Sequence, residues 1–347
     1  MDFELNEEQS MLREVSRTML SANCTSELVR ALAGSSKDLD EKLWQRGAEL
    51  GWTGLAVPEE LGGSGQGLVE LCLVAEELGA AVAPGPVAET ALAAMILART
   101  APHLDRVIAG LAEGVLKASW AVGEAGSHRL SPVHGATSAD HVLVSMDVDG
   151  SPALVLLDVA DLRPVARRTL DESRRWYDVP VADVAVAQHR ILTRDPAEIR
   201  WAEDAATVLV AADALGIGQR LLLMTVEYVK VREQFGRPIG SFQAIKQKVA
   251  NMAMTVKGVR AATYYAAMAL DAGLPAASLA TSVAKAHAST GISEVAGEAL
   301  QAHGGIGFTW EHDLHLYLRR AKVDEVIQGD AAKHQSRVLE FHRIVGN

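Results

Sequence analysis

Two segments gather residue types that can hold a ligand. The first is Arg232-Glu233-Gln234-Phe235-Gly236-Arg237-Pro238-Ile239-Gly240-Ser241-Phe242-Gln243, with its arginines and aromatic side chains on a glycine-loosened corner. Arginines on such a corner can fork onto phosphate oxygens. The second is Gln301-Ala302-His303-Gly304-Gly305-Ile306-Gly307-Phe308-Thr309. Its glycines fall just past a helix end, where bare backbone amides can approach a ligand closely. Taken singly, each segment also reads as plain structure, an interhelical turn and a helix C-cap. The histidines at 303, 312, 315, 334 and 342 show no HxxxH or HExxH spacing with carboxylates on one face, so no metal is expected. Cys24 and Cys72 lack a histidine-bearing context and read as core fillers. Trp310 and Tyr317 read as packing residues, and Arg174-Arg175 as a surface pair.

The elements that must position these segments fall into three textures, and the expected domains are 1–114, 115–194 and 195–347. The first is helical. Asn6 with Gln9 resembles a capping box ahead of Leu12, Val15 and Met19. A second helix carries Leu39, Leu43, Ala48 and Leu50 and stops at Gly51, a third spans Gly67 to Leu78, and another spans Val87 to Leu97. The middle region changes period. His141 to Met146 and Ala153 to Leu157, joined through Asp149-Gly150, predict a hairpin, and Val179, Val181, Asp183, Val184 and Val186 predict strand with turns between. The third region returns to helix. Asp195-Pro196-Ala197-Glu198 is a start signal for a helix reaching about Lys230. Ser241 is placed to cap the next helix, which runs to about Asp271. A further long helix ends near Ala302. The fold class is therefore α+β and mostly α: an N-terminal α-helical domain, a small middle β-barrel-like domain and a C-terminal four-helix bundle.

Composition bounds the function. The chain has 347 residues, 49% apolar and 22% charged, enough apolar side chain for a buried core of ordinary size. A net charge of −11 argues against a general nucleic-acid binder. The acidic N-terminus is not a signal peptide, and the most apolar run, Ala205 to Gly218, is too short to span a bilayer. With two cysteines and no disulfide framework, the expectation is a cytoplasmic protein that meets neither membrane nor nucleic acid.

Together, and in this order, the corner and the glycine cluster resemble the acyl-CoA dehydrogenase family of flavoproteins. Gly51-Trp-Thr-Gly-Leu-Ala-Val-Pro-Glu-Glu-Leu-Gly-Gly-Ser-Gly-Gln-Gly67 is similar to the family's N-terminal signature, and Glu76-Glu77-Leu78-Gly79 follows at the usual distance. The resemblance covers the whole chain. It implies FAD as cofactor, an acyl-CoA substrate, and a homo- or hetero-oligomer, a dimer of dimers, because each FAD in the family lies across a subunit boundary. It places Arg232, Gln234 and Phe235 on FAD phosphates and adenosine, with Phe242 and Gln243 nearby and Gln301, Gly304 and Gly305 as the second half of the cradle. Arg174-Arg175 could then meet a CoA phosphate. The implied reaction is α,β-dehydrogenation of the thioester: a base takes the α proton and the flavin accepts the hydride.

The sequence departs from the family at the base. The family's Glu sits in a Tyr-Glu-Gly-Thr run after a stretch like Arg-Asp-Ala-Lys. This chain reads Arg319-Arg320-Ala321-Lys322 and places Gln328 where the Glu belongs and Asp330 where the Thr belongs. A carboxamide has no usable basic lone pair near neutral pH. The alternative base position on the first long C-terminal helix is Ala206, with Glu203 and Asp213 a turn or two away. Glu203 and Asp330 are weak candidates, and both Glu203 and Asp213 read first as solvated or interhelical charges. The ring-flanking Thr-Glu-Pro stretch is reduced to Ala121-Val-Gly-Glu124-Ala125-Gly126-Ser127. Relatives in actinobacteria form mixed tetramers for sterol side-chain breakdown, pairing a competent subunit with one that lacks a base, and this sequence resembles the second kind. The expectation is an acyl-CoA dehydrogenase of fatty acid or sterol catabolism acting in a complex with a partner subunit. The alternatives are a non-catalytic subunit that completes a partner's FAD site, and a flavin oxidase or monooxygenase on the same fold.

Overall fold

The computed structural model describes residues 4–124, 127–181 and 186–345. Ala125, Gly126, Asp183, Val184 and the side chain of His342 lie outside the described residues.

Helices α1 (Glu7–Asn23), α2 (Ser26–Ala33), α3 (Glu41–Glu49), α4 (Leu68–Ala80), α5 (Val87–Thr100) and α6 (Asp105–Ala112) form the N-terminal part. The capping box is present: Gln9 N donates to Asn6 Oδ1 at 2.8 Å, and Asn6 N donates to Gln9 Oε1 at 3.1 Å. Helices α2 and α6, each 8 residues long, were not anticipated; each shows too few turns to establish a period.

The middle part holds β1 (Ala118–Val122), β2 (Arg129–His134), β3 (His141–Val148), β4 (Ser151–Asp158), β5 (Val165–Arg167), β6 (Trp176–Pro180) and β7 (Ile191–Thr193). The barrel-like expectation resolves into two sheets, ordered β1-β3-β4-β7 and β2-β6-β5, around a core of their own that includes Leu130, Val142, Val155 and Val179. The hairpin β3–β4 turns at Asp149 and Gly150, whose φ values of 55° and 77° suit a type I′ turn. Val186, expected in strand, is not in one.

The C-terminal part comprises α7 (Pro196–Val231), a two-strand corner of β8 (Glu233–Gln234) and β9 (Arg237–Pro238), then α8 (Gln243–Asp271), α9 (Ala277–His303), α10 (Leu314–Asp324) and α11 (Ala331–Val345). Asp195 caps α7 by accepting from Ala197 N at 2.9 Å. Ser241 does not cap α8. Phe242 occupies that position without a side-chain bond, because a short 3₁₀ turn over Ile239–Ser241 intervenes.

The two helical parts share one continuous core, reaching from Leu20 through Leu71 and Leu215 to Ala321. Helix α4 lies along α7, and two glycines allow that approach. A Cβ on Gly79 would stand 2.0 Å from Asp213 O, and one on Gly216 would stand 1.8 Å from Glu76 O. The α7 helix is longer than the apolar run seen in the sequence. By length and composition it could cross a membrane, yet 67% of its apolar window is buried inside the fold.

Candidate functional site

Helices α7 and α9 end at the same end of the bundle. Tyr228 ties them there, donating its hydroxyl to His303 O at 3.3 Å and stacking on the His303 ring at 4.4 Å. The corner and the glycine turn both leave from this end. Between β8 and β9 the chain reverses at Phe235 and Gly236, with φ values of 54° and 78°. An aromatic residue in the left-handed region is costly. Here it holds Phe235 at the tip, 92% exposed, with only the edge of Phe242 beside it. The guanidinium of Arg232 has no partner among the described residues, whereas Arg237 lies over the Phe242 ring at 4.2 Å. Gln234, Gln243 and Gln301 are exposed. Gly304 has a φ of 60°, and a Cβ on Gly236, Gly304 or Gly305 would meet nothing within 4 Å. These glycines therefore border open space. Ile306 and Phe308 next to them are exposed at 45% and 73%. A free guanidinium, bare amides and an outward aromatic face are the donor set that a nucleotide diphosphate and its base require.

A second feature lies where the middle part meets the bundle. A cavity of about 70 Å³ there is lined on one side by Trp120, His134 and Trp176 and on the other by Ala206, Asp213, Arg320 and Gln328. Both positions discussed as sites for a base, Gln328 and Ala206, thus face one cavity. Around it runs a buried charge network. Arg320 Nε donates to Asp213 Oδ2 at 2.9 Å, with a second bond from Nη2 to Oδ1. Arg174 donates to Asp171 Oδ2 and to Asp324 Oδ1, both at 2.6 Å. Burial by itself would raise Asp213, but the charges of Arg320 and Arg174 outweigh it and hold its carboxyl down at about 2. Burial pushes Asp324 well above the carboxylate range, and Asp213 beside it adds to the rise. Asp324 Oδ1 accepts from Arg174, and the same burial favours the protonated form of this carboxyl. Of the solvated and interhelical readings, Asp213 takes the interhelical one, paired with Arg320 between α7 and α10.

The residues around Gln328 are held on three sides. Lys285 Nζ, 1% exposed, donates to Asp324 O at 2.9 Å and Glu325 O at 3.2 Å. It caps the end of α10, and burial pulls its ammonium down to about 8. His334 Nε2 donates to Gln328 O at 3.0 Å, and burial lowers this imidazole to about 4. Asp330 caps α11 by accepting from Lys333 N at 2.9 Å. It is exposed and does not line the cavity. Glu203 also does not line it; Glu203 Oε1 accepts from Ser145 Oγ at 2.8 Å, tying α7 to β3. Arg174, expected on the surface, is 8% exposed and sits in the network. Trp310, expected to pack, is 59% exposed, edge-on to His315 and beneath Arg319. No group of metal-ligating side chains is found among the described residues.

The comparisons place this architecture. Residues 6–113 match the family model for the acyl-CoA dehydrogenase N-terminal domain, and residues 199–341 match that for the acyl-CoA dehydrogenase C-terminal domain. Acyl-CoA dehydrogenase IpdE2 of Mycobacterium tuberculosis is 36% identical over 318 residues, covering 91% of this chain and 91% of that protein. The chain belongs to the acyl-CoA dehydrogenase family. Among solved structures, the Tcur3481-Tcur3483 steroid ACAD variant matches with a TM-score of 0.90 at 30% identity, covering 98% of this chain and 99% of that one. The ChsE4-ChsE5 complex of Mycobacterium tuberculosis matches with a TM-score of 0.89 at 29% identity, covering 98% of each chain.

Sequence reasoning missed the walls of the cavity in this acyl-CoA dehydrogenase family member. Trp120, His134 and Trp176 each bring a buried ring nitrogen without a partner, Nε1, Nε2 and Nε1 respectively. The only sequence signal was the second arginine of Arg319-Arg320, where the family pattern has Asp. In this chain that arginine is met by the buried Asp213.

Proposed function

We propose that this chain is a subunit of an FAD-dependent acyl-CoA dehydrogenase complex, and that it supplies the nucleotide end of a FAD site shared with a partner chain. The observation carrying this reading is the strained, 92% exposed Phe235 close to Arg232, whose guanidinium has no partner among the described residues. Strain and exposed apolar area at one point are costly for a lone chain and useful at a ligand-bearing interface. Arg232 would fork onto the diphosphate, Gly304 and Gly305 would offer backbone amides, and Phe235 would cover the adenosine.

When bound, FAD supplies the two-electron acceptor for removal of hydrogens from Cα and Cβ of an acyl-CoA thioester. The residues of this chain fit its nucleotide end. The cavity where the middle part meets the bundle is bordered by both base positions. Gln328 and Ala206 offer no proton acceptor there, and Asp213 is paired with Arg320. The base would therefore come from the partner. The steroid ACAD and ChsE4-ChsE5 assemblies, similar in fold and at 29–30% identity, support a heteromeric arrangement.

Arg232→Ala tests this reading. Flavin absorbance of the purified complex after gel filtration should fall, because a charged hydrogen bond of about 1.5–3 kcal/mol is lost. Unchanged flavin content at equal complex recovery would count against the placement.

A further inference from the structure

A cleft of about 610 Å³ lies between α1 and α2 on one side and α7, α8 and α10 on the other, floored by the end of α4. It shares no lining residue with the cavity beside Gln328, and none with the corner or the glycine turn. Its volume falls in the range of about 300–1,000 Å³ typical of small-molecule sites. Helical spacing aims its side chains. Arg13, Arg17, Leu20 and Cys24 recur three or four residues apart and present one face of α1 to the cleft, while Arg220 and Leu223 do the same from α7.

Two of the four arginines that line the cleft are committed. Arg17 donates to both oxygens of Glu77, at 3.1 and 2.7 Å, and Arg260 to both oxygens of Glu76, at 2.8 and 2.7 Å. The other acids of the lining are spent as well. Asp313 accepts from Arg30 at 2.8 Å, and Glu27, exposed at the rim, is held by its own backbone N–H and by Thr25. Arg13 and Arg220 remain. Arg13 has no hydrogen bond among the described residues, and the acid whose charge it feels, Glu77, already holds Arg17. Arg220 meets only the neutral hydroxyl of Tyr317. Two cations, one from each side, therefore share a cleft with no acid of their own.

A separate observation comes from the floor. Helix α4 ends in a Schellman motif, with Ala83 N donating to Leu78 O at 2.9 Å and Val82 N to Gly79 O at 3.0 Å. The left-handed position of that motif favours glycine, yet Val82 occupies it, at a φ of 44°. A β-branched residue there is a costly outlier. What the chain gains is an apolar side chain in the cleft floor. Leu223, 45% exposed, adds a second apolar surface one turn from Arg220.

We propose that this cleft binds a phosphate monoester, with its dianionic head between Arg13 and Arg220 and its apolar substituent against Val82 and Leu223. A dianion meets both uncommitted guanidinium groups, whereas a monocarboxylate leaves one of them unmet. The proposal does not rest on the shared-flavin reading, because no residue is common to the two sites.

The test is isothermal titration of the full chain in its purified assembly with phenyl phosphate, inorganic phosphate and benzoate. We expect phenyl phosphate to bind at one site per chain, at least tenfold tighter than the other two. Arg13→Gln and Arg220→Gln should each weaken it about tenfold, through loss of a charged hydrogen bond. Neither arginine holds an ion pair, so both variants should assemble as the parent does, checked by gel filtration. Arg106→Gln, on the exposed side of α6 and away from the cleft, should leave affinity unchanged. Absence of binding, or equal affinity in the Arg13 and Arg220 variants and the parent, would overturn the proposal. Benzoate binding as tightly as phenyl phosphate would overturn the dianion, and inorganic phosphate doing so would overturn the monoester. Flavin content of the same samples should not follow these affinities, so the two claims fail separately.

Discussion

Arg320 of α10 and Asp213 of α7, 107 residues apart in sequence, meet through paired hydrogen bonds at the floor of the cavity, with Nε to Oδ2 at 2.9 Å. Both are buried, and Arg320 Nη1 also donates to Ala83 O at 2.7 Å, so one guanidinium joins α10, α7 and the segment after α4. Removing one partner leaves the other as an uncompensated charge. Arg320→Met or Asp213→Leu alone should destabilise the protein by about 3–5 kcal/mol, and the double variant by much less. Denaturant unfolding of the three variants measures this, and additive losses would mean the pair does not act as a unit.

The same network sets an acid limit. Asp213 has its carboxyl depressed to about 2, below its ordinary value of 3.8. The stability it contributes is complete above 3.8 and lost as pH falls toward 2. Asp324 has the opposite sign. Its value is raised, so its contribution is present below 3.8 and lost as pH rises toward its folded value. Melting temperature against pH should therefore show an acid fall that Asp213→Asn blunts, and a decline above 3.8 that Asp324→Asn removes. An Asp324→Asn profile identical to the parent above pH 4 would contradict the raised Asp324 carboxyl.

How much of this was legible beforehand follows from separation along the chain. Local signals carried the capping box at Asn6, the Asp149-Gly150 hairpin and the start of α7 at Asp195. Each is written within a few residues. The corner and glycine turn were legible for the same reason, since each is a contiguous run. The cavity was not. Arg174 finds Asp324 across 150 positions, and Trp120, His134 and Trp176 come from three different strands. No periodicity reports that such residues will meet. Glu203 and Asp330 were plausible bases by type alone, and structure gave each a local duty, on Ser145 and at the start of α11.

Restoring the family's base should not by itself restore chemistry. Gln328→Glu puts a carboxylate at the cavity wall without giving the lone chain a second half for its flavin site. We expect no thioester-dependent flavin reduction by this chain alone with FAD added, followed anaerobically at the flavin absorbance band. Measurable reduction would show that this chain holds a working flavin without a partner.

Gln328→Gly offers a separate check on strain. Glycine takes a φ of 62° at no steric cost, so this variant should gain up to about 1 kcal/mol of stability. Thermal unfolding of the variant reads this directly, and a loss of stability would mean the side chain contributes more than its backbone costs.

The shared-site account is tested most directly by the flavin-to-chain ratio, determined by absorbance and protein mass, for the chain alone and for the complex formed with its partner. The account predicts a colourless lone chain and a complex that holds flavin, with less flavin retained when Arg232 is replaced by alanine. A lone chain carrying one tightly held flavin per polypeptide would contradict it.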